Sequence, residues 1–138
     1  MMQADAPVEA HALVLTGVGR FVVFADAARI VREPDGVRMR SLQVVEEDFT
    51  VGTTRYWGGW SWWRFDCEAG MADRLDFASV AAGGREGPAT PDTAPAYPAA
   101  PGGDAAELLA VACGTVTPEI AATTVGDAVR LARDAMAD

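Results

Sequence analysis

The chain has 138 residues, of which half are apolar and 22% are charged, and its formal net charge is −9. This length and composition are typical of one globular domain with its own core and not of a disordered chain. The acidic balance argues against nucleic-acid binding, which needs a basic surface to displace the counterions of the phosphates.

The beginning of the chain differs in composition from the rest. Residues 1–11 are small, polar and turn-rich, and they include the only histidine, His11. They are predicted to form a flexible lead-in, which leaves residues 12–138 as a single α+β domain. The longest apolar stretch is interrupted by glycine and arginine, so no transmembrane helix is expected.

The first strands are indicated by β-branched and aromatic residues. The run Phe21-Val22-Val23-Phe24 predicts a strand with Phe21 and Val23 in the core. A turn at Glu33-Pro34-Asp35-Gly36 follows, because Pro fixes φ and Gly accepts a positive φ. Beyond it, Val37 and Met39 alternate with arginines, which is the period of a half-buried strand.

A tryptophan-rich segment, residues 56–67, predicts the next strand. Alternation sends Trp63 and Phe65 to the core face and Trp60, Trp62 and Arg64 to the other face. On an exposed face, tryptophan rings could stack on sugars or anchor a protein, because they offer large apolar area at low entropic cost. The alternative is a sheet packed on both faces, one against helices and one within a dimer. Trp60, Trp62 and Arg64 are the candidate binding surface.

The second half of the chain predicts one more strand and two helices. A strand over residues 73–79 would direct Leu75 and Phe77 into the core, and residues 83–103 form an irregular loop rich in Pro and Gly. Asp104 is expected to cap a short helix, and Pro118 to begin a C-terminal helix over residues 118–137. Together these elements predict an α+β fold, with an antiparallel sheet of about four to six strands packed against one or two C-terminal helices.

The two cysteines, Cys67 and Cys113, allow several chemistries. A metal site is not expected, because four suitable ligands are missing, and no cofactor motif is present. A cysteine or serine nucleophile would need a histidine base, and His11 in the lead-in is a poor candidate. The chain is therefore predicted not to be an enzyme. Counting alone leaves a disulfide and two free thiols as open alternatives.

The surroundings of the cysteines resemble a known family. The features are an extended segment ending in Phe65-Asp66-Cys67, an arginine-containing strand at Asp73-Arg74-Leu75, and a short helix that carries Cys113. Upstream, the segments 24–30 and 35–39 fit the same pattern. Over roughly residues 19–113 the chain resembles the surface-adhesin protein E family of Gram-negative bacteria. It departs from that family in having no visible export signal, a heavier tryptophan-rich strand and a helical extension after Cys113.

The resemblance implies an exported protein in which Cys67 is bonded to Cys113. The location would then be the periplasm or outer surface, if an export signal precedes the given sequence, and the cytoplasm if Met1 is the true start. The expected function is a non-catalytic envelope module that binds an extracellular protein or a glycan, or has a structural role, with a homodimer through the sheet. The alternatives are a carbohydrate-binding domain that uses Trp60 and Trp62, and a cytosolic protein with free thiols.

Overall fold

A computed structural model describes residues 10–137, which form nine strands and two helices. The elements, in chain order, are β1 (Leu13–Val18), β2 (Val22–Glu33), β3 (Gly36–Val51), β4 (Thr54–Asp66), β5 (Met71–Arg74), β6 (Asp76–Ala81), β7 (Thr90–Pro91), β8 (Tyr97–Pro98), α1 (Asp104–Ala112), β9 (Ile120–Ala122) and α2 (Val125–Met136).

The strands form an antiparallel sheet in the order β7-β6-β4-β3-β2-β1-β9. β5 pairs with β4 beyond the end of β6, and β8 pairs with β5. The predicted α+β class and antiparallel sheet are confirmed, whereas the predicted count of four to six strands is too low. The surplus comes from pieces of two or three residues, β7, β8 and β9, which are too short to show a sequence period.

A tight hairpin joins the long strands β2 and β3, as the turn signal predicts. Glu33 pairs with Gly36, so that Pro34 and Asp35 form the corner. Gly36 has φ +150°, and a Cβ atom there would lie 2.5 Å from the carbonyl oxygen of Phe65. This position therefore accepts only glycine without a shift of the neighbouring strand.

The sheet is packed on both faces, with one helix on each. On the first face, α1 buries Leu108 and Val111 against Val23, Met39 and the rings of β4. On the second face, α2 buries Val129, Ala128 and Ala132 against Phe24 and the other strand residues that point to that face. Successive residues of β2 enter opposite clusters, which is the strand period of two.

The two helices cover different halves of the strands. α1 lies over the end of the sheet where Val37 pairs with Phe65, and α2 lies under the end where Leu42 pairs with Trp60. Each face therefore has one covered half and one half without a helix. The two uncovered halves are diagonally opposite.

Both helices begin at a different residue from the one that the sequence indicates, α1 one residue earlier and α2 several residues later. Gly103 and not Asp104 is the N-cap of α1, and it supplies no side-chain hydrogen bond. The predicted helix over residues 118–137 is wrong in its first part, because Ile120–Ala122 instead pairs with β1 as β9. α2 begins after Thr124, whose hydroxyl accepts from the backbone N–H of Asp127 at 3.1 Å. No helix among residues 10–137 has the length and apolarity needed to cross a bilayer.

The cysteines form one disulfide, so the alternative of two free thiols is wrong. Cys67 follows the end of β4, and Cys113 is the C-cap of α1, with 5.8 Å between their Cα atoms. The bridge ties the C-terminal end of α1 to the sheet. It spans the irregular segment that the sequence predicts for residues 83–103, which contains only β7 and β8 as regular pieces.

The core predictions are correct for three residues and wrong for two. Val23, Trp63 and Phe65 are buried. Phe21 and Phe77, however, are 41% and 39% exposed. Both lie on the face that carries α1, as alternation indicates, but beyond the half that α1 covers. Leu75, the remaining predicted core residue, is half-buried and lies where the chain passes from β5 to β6.

Candidate functional site

The candidate surface at Trp60, Trp62 and Arg64 is partly withdrawn from solvent. Trp60 is only 1% exposed, so its predicted place on the surface is wrong. It lies in the cluster that α2 covers, and its ring packs 5.0 Å from the ring of His11. The guanidinium carbon of Arg40 also lies 4.6 Å from the centre of the Trp60 ring.

Trp62 and Arg64 lie on the uncovered half of the same face and are half-buried. The guanidinium carbon of Arg38 lies 5.1 Å from the ring centre of Trp62, and Arg64 forms an ion pair with Glu33 at 3.5 Å. Arg38 also donates to Glu33 at 2.9 Å. Charged side chains therefore cover the apolar rings on this half of the sheet.

The other uncovered half, on the α1 face, is a concave apolar surface. We call it the aromatic groove, and the residues that define it are Phe21, Phe49, Tyr56, Phe77, Gly58 and Gly59. Its cavity volume is about 400 Å³. Phe49 is 50% exposed, and its ring centroid lies 5.5 Å from that of Tyr56. Large apolar rings left in water at one place are typical of a ligand or partner site.

The groove exists because β4 has two glycines between its aromatic residues. A Cβ atom at Gly59 would overlap the ring of Phe77, and one at Gly58 would overlap the carbonyl oxygen of Gln43. The ring of Phe77 consequently lies directly on the backbone of β4. The sequence prediction missed this site, although a signal was present: a glycine within an aromatic strand, here Gly59, leaves one position on the α1 face of the sheet without a side chain.

A second cavity of about 200 Å³ adjoins the groove, between the sheet and the beginning of α1. We call it the polar pocket, and its polar residues are Ser41, Gln43, Ser61, Arg74, Tyr97 and Asp104.

Two buried hydroxyl groups form the floor of the polar pocket. The Ser41 hydroxyl oxygen accepts from the indole N–H of Trp63 at 2.9 Å, and the Ser61 hydroxyl oxygen accepts from the Nε of Arg74 at 2.9 Å. Because each oxygen is used as an acceptor, each O–H remains able to donate. The pocket therefore presents donor groups at its floor.

The phenol of Tyr97 lies at the rim of the polar pocket. Burial raises its pKa above the ordinary value of 10.0, and the negative charges of Asp104 and Asp92 add to that rise, while the guanidinium of Arg74 opposes it. At neutral pH the phenol is protonated and can donate a hydrogen bond into the cavity.

His11 belongs to the folded domain and not to a lead-in. Its Nδ1 lies 2.8 Å from a carboxylate oxygen of Asp26, which is fully buried. The other carboxylate oxygen accepts from the backbone N–H groups of Ala12 and Ala28. This arrangement fixes the start of β1 to β2. The remaining residues of the predicted lead-in, residues 1–9, lie outside the described part of the chain.

Comparison with protein-family models, curated proteins and solved structures found no match. The resemblance to surface-adhesin protein E therefore stays a prediction. Within residues 10–137, no three His, Cys, Asp or Glu side chains are grouped so that they could hold a metal ion. The geometry of the groove and the pocket is the basis for a functional assignment.

Proposed function

We propose that this chain is a non-catalytic binding module whose ligand lies in the aromatic groove. The observation that carries the proposal is the concave cluster of exposed rings around the backbone of Gly58 and Gly59. The candidate surface predicted from the tryptophans lacks this property, because Trp60 is buried and Trp62 is covered by Arg38.

The exposed rings supply a driving force for binding. Phe21, Phe49 and Phe77 each leave between 39% and 50% of their surface in water. For a side chain of roughly 200 Å², covering that fraction contributes about 2 kcal/mol per ring. Burying the apolar surface of the ligand adds a favourable free energy of similar size, whereas the entropy lost when the ligand is fixed in place opposes binding.

The chemistry of the lining supports binding without catalysis. Among residues 10–137, those that line the groove include no histidine, cysteine or carboxylate. His11 lies on the opposite face, against Trp60, and both cysteines are in the disulfide. Histidine, cysteine and carboxylate side chains are the groups that most often carry general acid–base and nucleophilic reactions.

We also propose that the protein works in the cell envelope, in the periplasm or at the outer surface. The Cys67–Cys113 bridge supports this location, since structural disulfides persist in oxidising compartments. Alkylating thiols in intact cells tests the location: both cysteines should resist modification, and a protein with two alkylated thiols would contradict it.

A fluorescence titration with phenylnaphthylamine, a neutral apolar probe, tests the groove. We expect saturable binding with a blue-shifted emission, weakened about a thousandfold when Phe21→Ser and Phe77→Ser are combined, since the variant loses two contact rings worth about 2 kcal/mol each. Both side chains are more than a third exposed, so the fold should tolerate the change. Circular dichroism checks that it does.

The chain offers a matched control in another cavity. A space of about 450 Å³ between α1 and β9 is lined by the exposed apolar residues Val116 and Ile120, together with the carboxylates of Glu107 and Glu119. Val116→Ser combined with Ile120→Ser removes the same kind of surface there. We expect unchanged affinity, and a loss in this variant instead of the groove variant would show that the site is misplaced.

A further inference from the structure

The aromatic groove and the polar pocket lie next to each other on the same face of the sheet. Gln43 lines both cavities. Arg74 lines the pocket, and its guanidinium carbon lies 5.3 Å from the ring centre of Phe77 in the groove. A ligand that lies on Phe77 therefore has one end beside a cation.

Arg74 is half-buried and has unused donors. Its Nε donates to Ser61, whereas its Nη1 and Nη2 have no hydrogen-bond or ion-pair partner among residues 10–137. The two Nη groups of a guanidinium form a planar fork that matches the oxygens of a carboxylate, sulfonate or phosphate. A half-buried fork of this kind favours an anion over water.

Other groups of the polar pocket can donate to the same anion. The hydroxyls of Ser41 and Ser61, both in side chains that are 5% exposed, have their O–H groups free to donate, as shown above. Gln43 and Tyr97 add an amide and a protonated phenol. The first turn of α1, a helix of nine residues, has no side-chain cap on its N–H groups.

Two negative charges oppose an anion in the pocket, because Asp92 acts on Tyr97 from outside the lining and Asp104 is part of it. Asp104 lies at the rim, and its carboxylate would repel a negative group. Asp104 is exposed, so water and salt screen it, whereas Arg74 is half-buried and screened less. The balance of the two favours negative charge at the floor of the pocket.

We infer that the ligand is a small amphiphile with an apolar body in the aromatic groove and an anionic head group at Arg74 in the polar pocket. This inference rests on the proposed function, because the body occupies the groove. Carboxylate, sulfonate and phosphate heads share the chemistry that the pocket recognises, namely an oxyanion that accepts several hydrogen bonds.

A pair of probes that differ only in the head group tests the inference. Anilinonaphthalene sulfonate has the ring system of phenylnaphthylamine with a sulfonate added. We expect the full chain to bind the sulfonate about tenfold or more tightly, and Arg74→Gln to remove that advantage while changing the affinity for phenylnaphthylamine less than about twofold.

Two further variants make the test specific. Arg130→Gln removes an arginine of α2 that is 74% exposed on the opposite face, and it should leave both affinities unchanged. Arg74→Lys keeps the charge without the planar fork and should retain part of the advantage. The comparison of the two probes on the unmodified chain does not depend on the folding of any variant.

The outcomes separate the two proposals. If the unmodified chain binds both probes equally, or if Arg74→Gln weakens the binding of both probes equally, the proposed anionic head group is wrong. The proposal of a ligand in the aromatic groove would still hold. If phenylnaphthylamine does not bind, the groove proposal fails, and this inference fails with it. If Arg130→Gln weakens the binding of the sulfonate probe alone, the anion binds elsewhere, and the inference is also wrong.

Discussion

Replacing Cys67 and Cys113 by alanine removes the covalent tie between the end of β4 and the end of α1. Little packing is lost, because Cys67 is exposed and Cys113 is only half-buried at the margin of the first cluster. The native contacts of α1 through Leu108 and Val111 remain. The effect on stability should therefore come mainly from the unfolded chain.

The magnitude follows from the length of the closed loop. The bridge joins residues 46 apart in sequence, and releasing a loop of that length returns conformational entropy worth about 4 kcal/mol to the unfolded state. That is a large part of the stability of an ordinary domain. The free energy of unfolding should fall by about 4 kcal/mol in the double variant.

Urea denaturation, followed by tryptophan fluorescence and circular dichroism, measures this loss. Cys67→Ala alone is the matched control, since breaking the bridge from one side should cost as much as removing both cysteines. The unmodified protein in a reducing agent should agree with both variants. A loss below about 1 kcal/mol in all three would refute the chain-entropy reasoning.

Two further measurements test the buried ring and the rim of the polar pocket. Trp60→Ala should lower the free energy of unfolding in urea by about 4 kcal/mol, because the ring is fully buried. Trp62→Ala should lower it clearly less, and equal losses in the two variants would contradict the burial of Trp60. Burial raises the pKa of Tyr97, so its stabilising contribution is fully present below the ordinary pKa of 10.0 and is lost as the pH rises through the folded value. Tyr97→Phe should therefore weaken the decline of the urea midpoint above pH 10.0, and identical pH profiles for the two proteins would contradict the shift.

Alternation along the strands predicts the faces of the sheet correctly. Trp63 and Phe65 lie on one face and Trp60, Trp62 and Arg64 on the other. A period of two shows which residues share a face, but it does not show which part of that face a distant helix covers. That information depends on where the helices pack along the strands.

This limit explains the errors at the candidate site. Phe21 and Phe77 point to the predicted face but lie beyond the part of it that α1 covers. Trp60 points to the other face and is buried because α2 covers that part of it. The sequence does not predict β9 because Pro118 favours a helix start, whereas residues 120–122 pair with β1 at the edge of the sheet. Short edge strands form through tertiary pairing and leave little signal of their own.

The pairing of β1 with β9 also bears on how the protein is made. The hairpins from β2 to β4 join neighbouring segments, so they can form early, whereas β9 follows β1 by almost the whole chain. Until β9 emerges, the edge of β1 at Leu13 and Val14 lacks the strand that pairs with it in the complete fold. Open strand edges are templates for pairing between chains. A nascent chain that stalls before residue 120 is consequently expected to aggregate more readily than the complete chain.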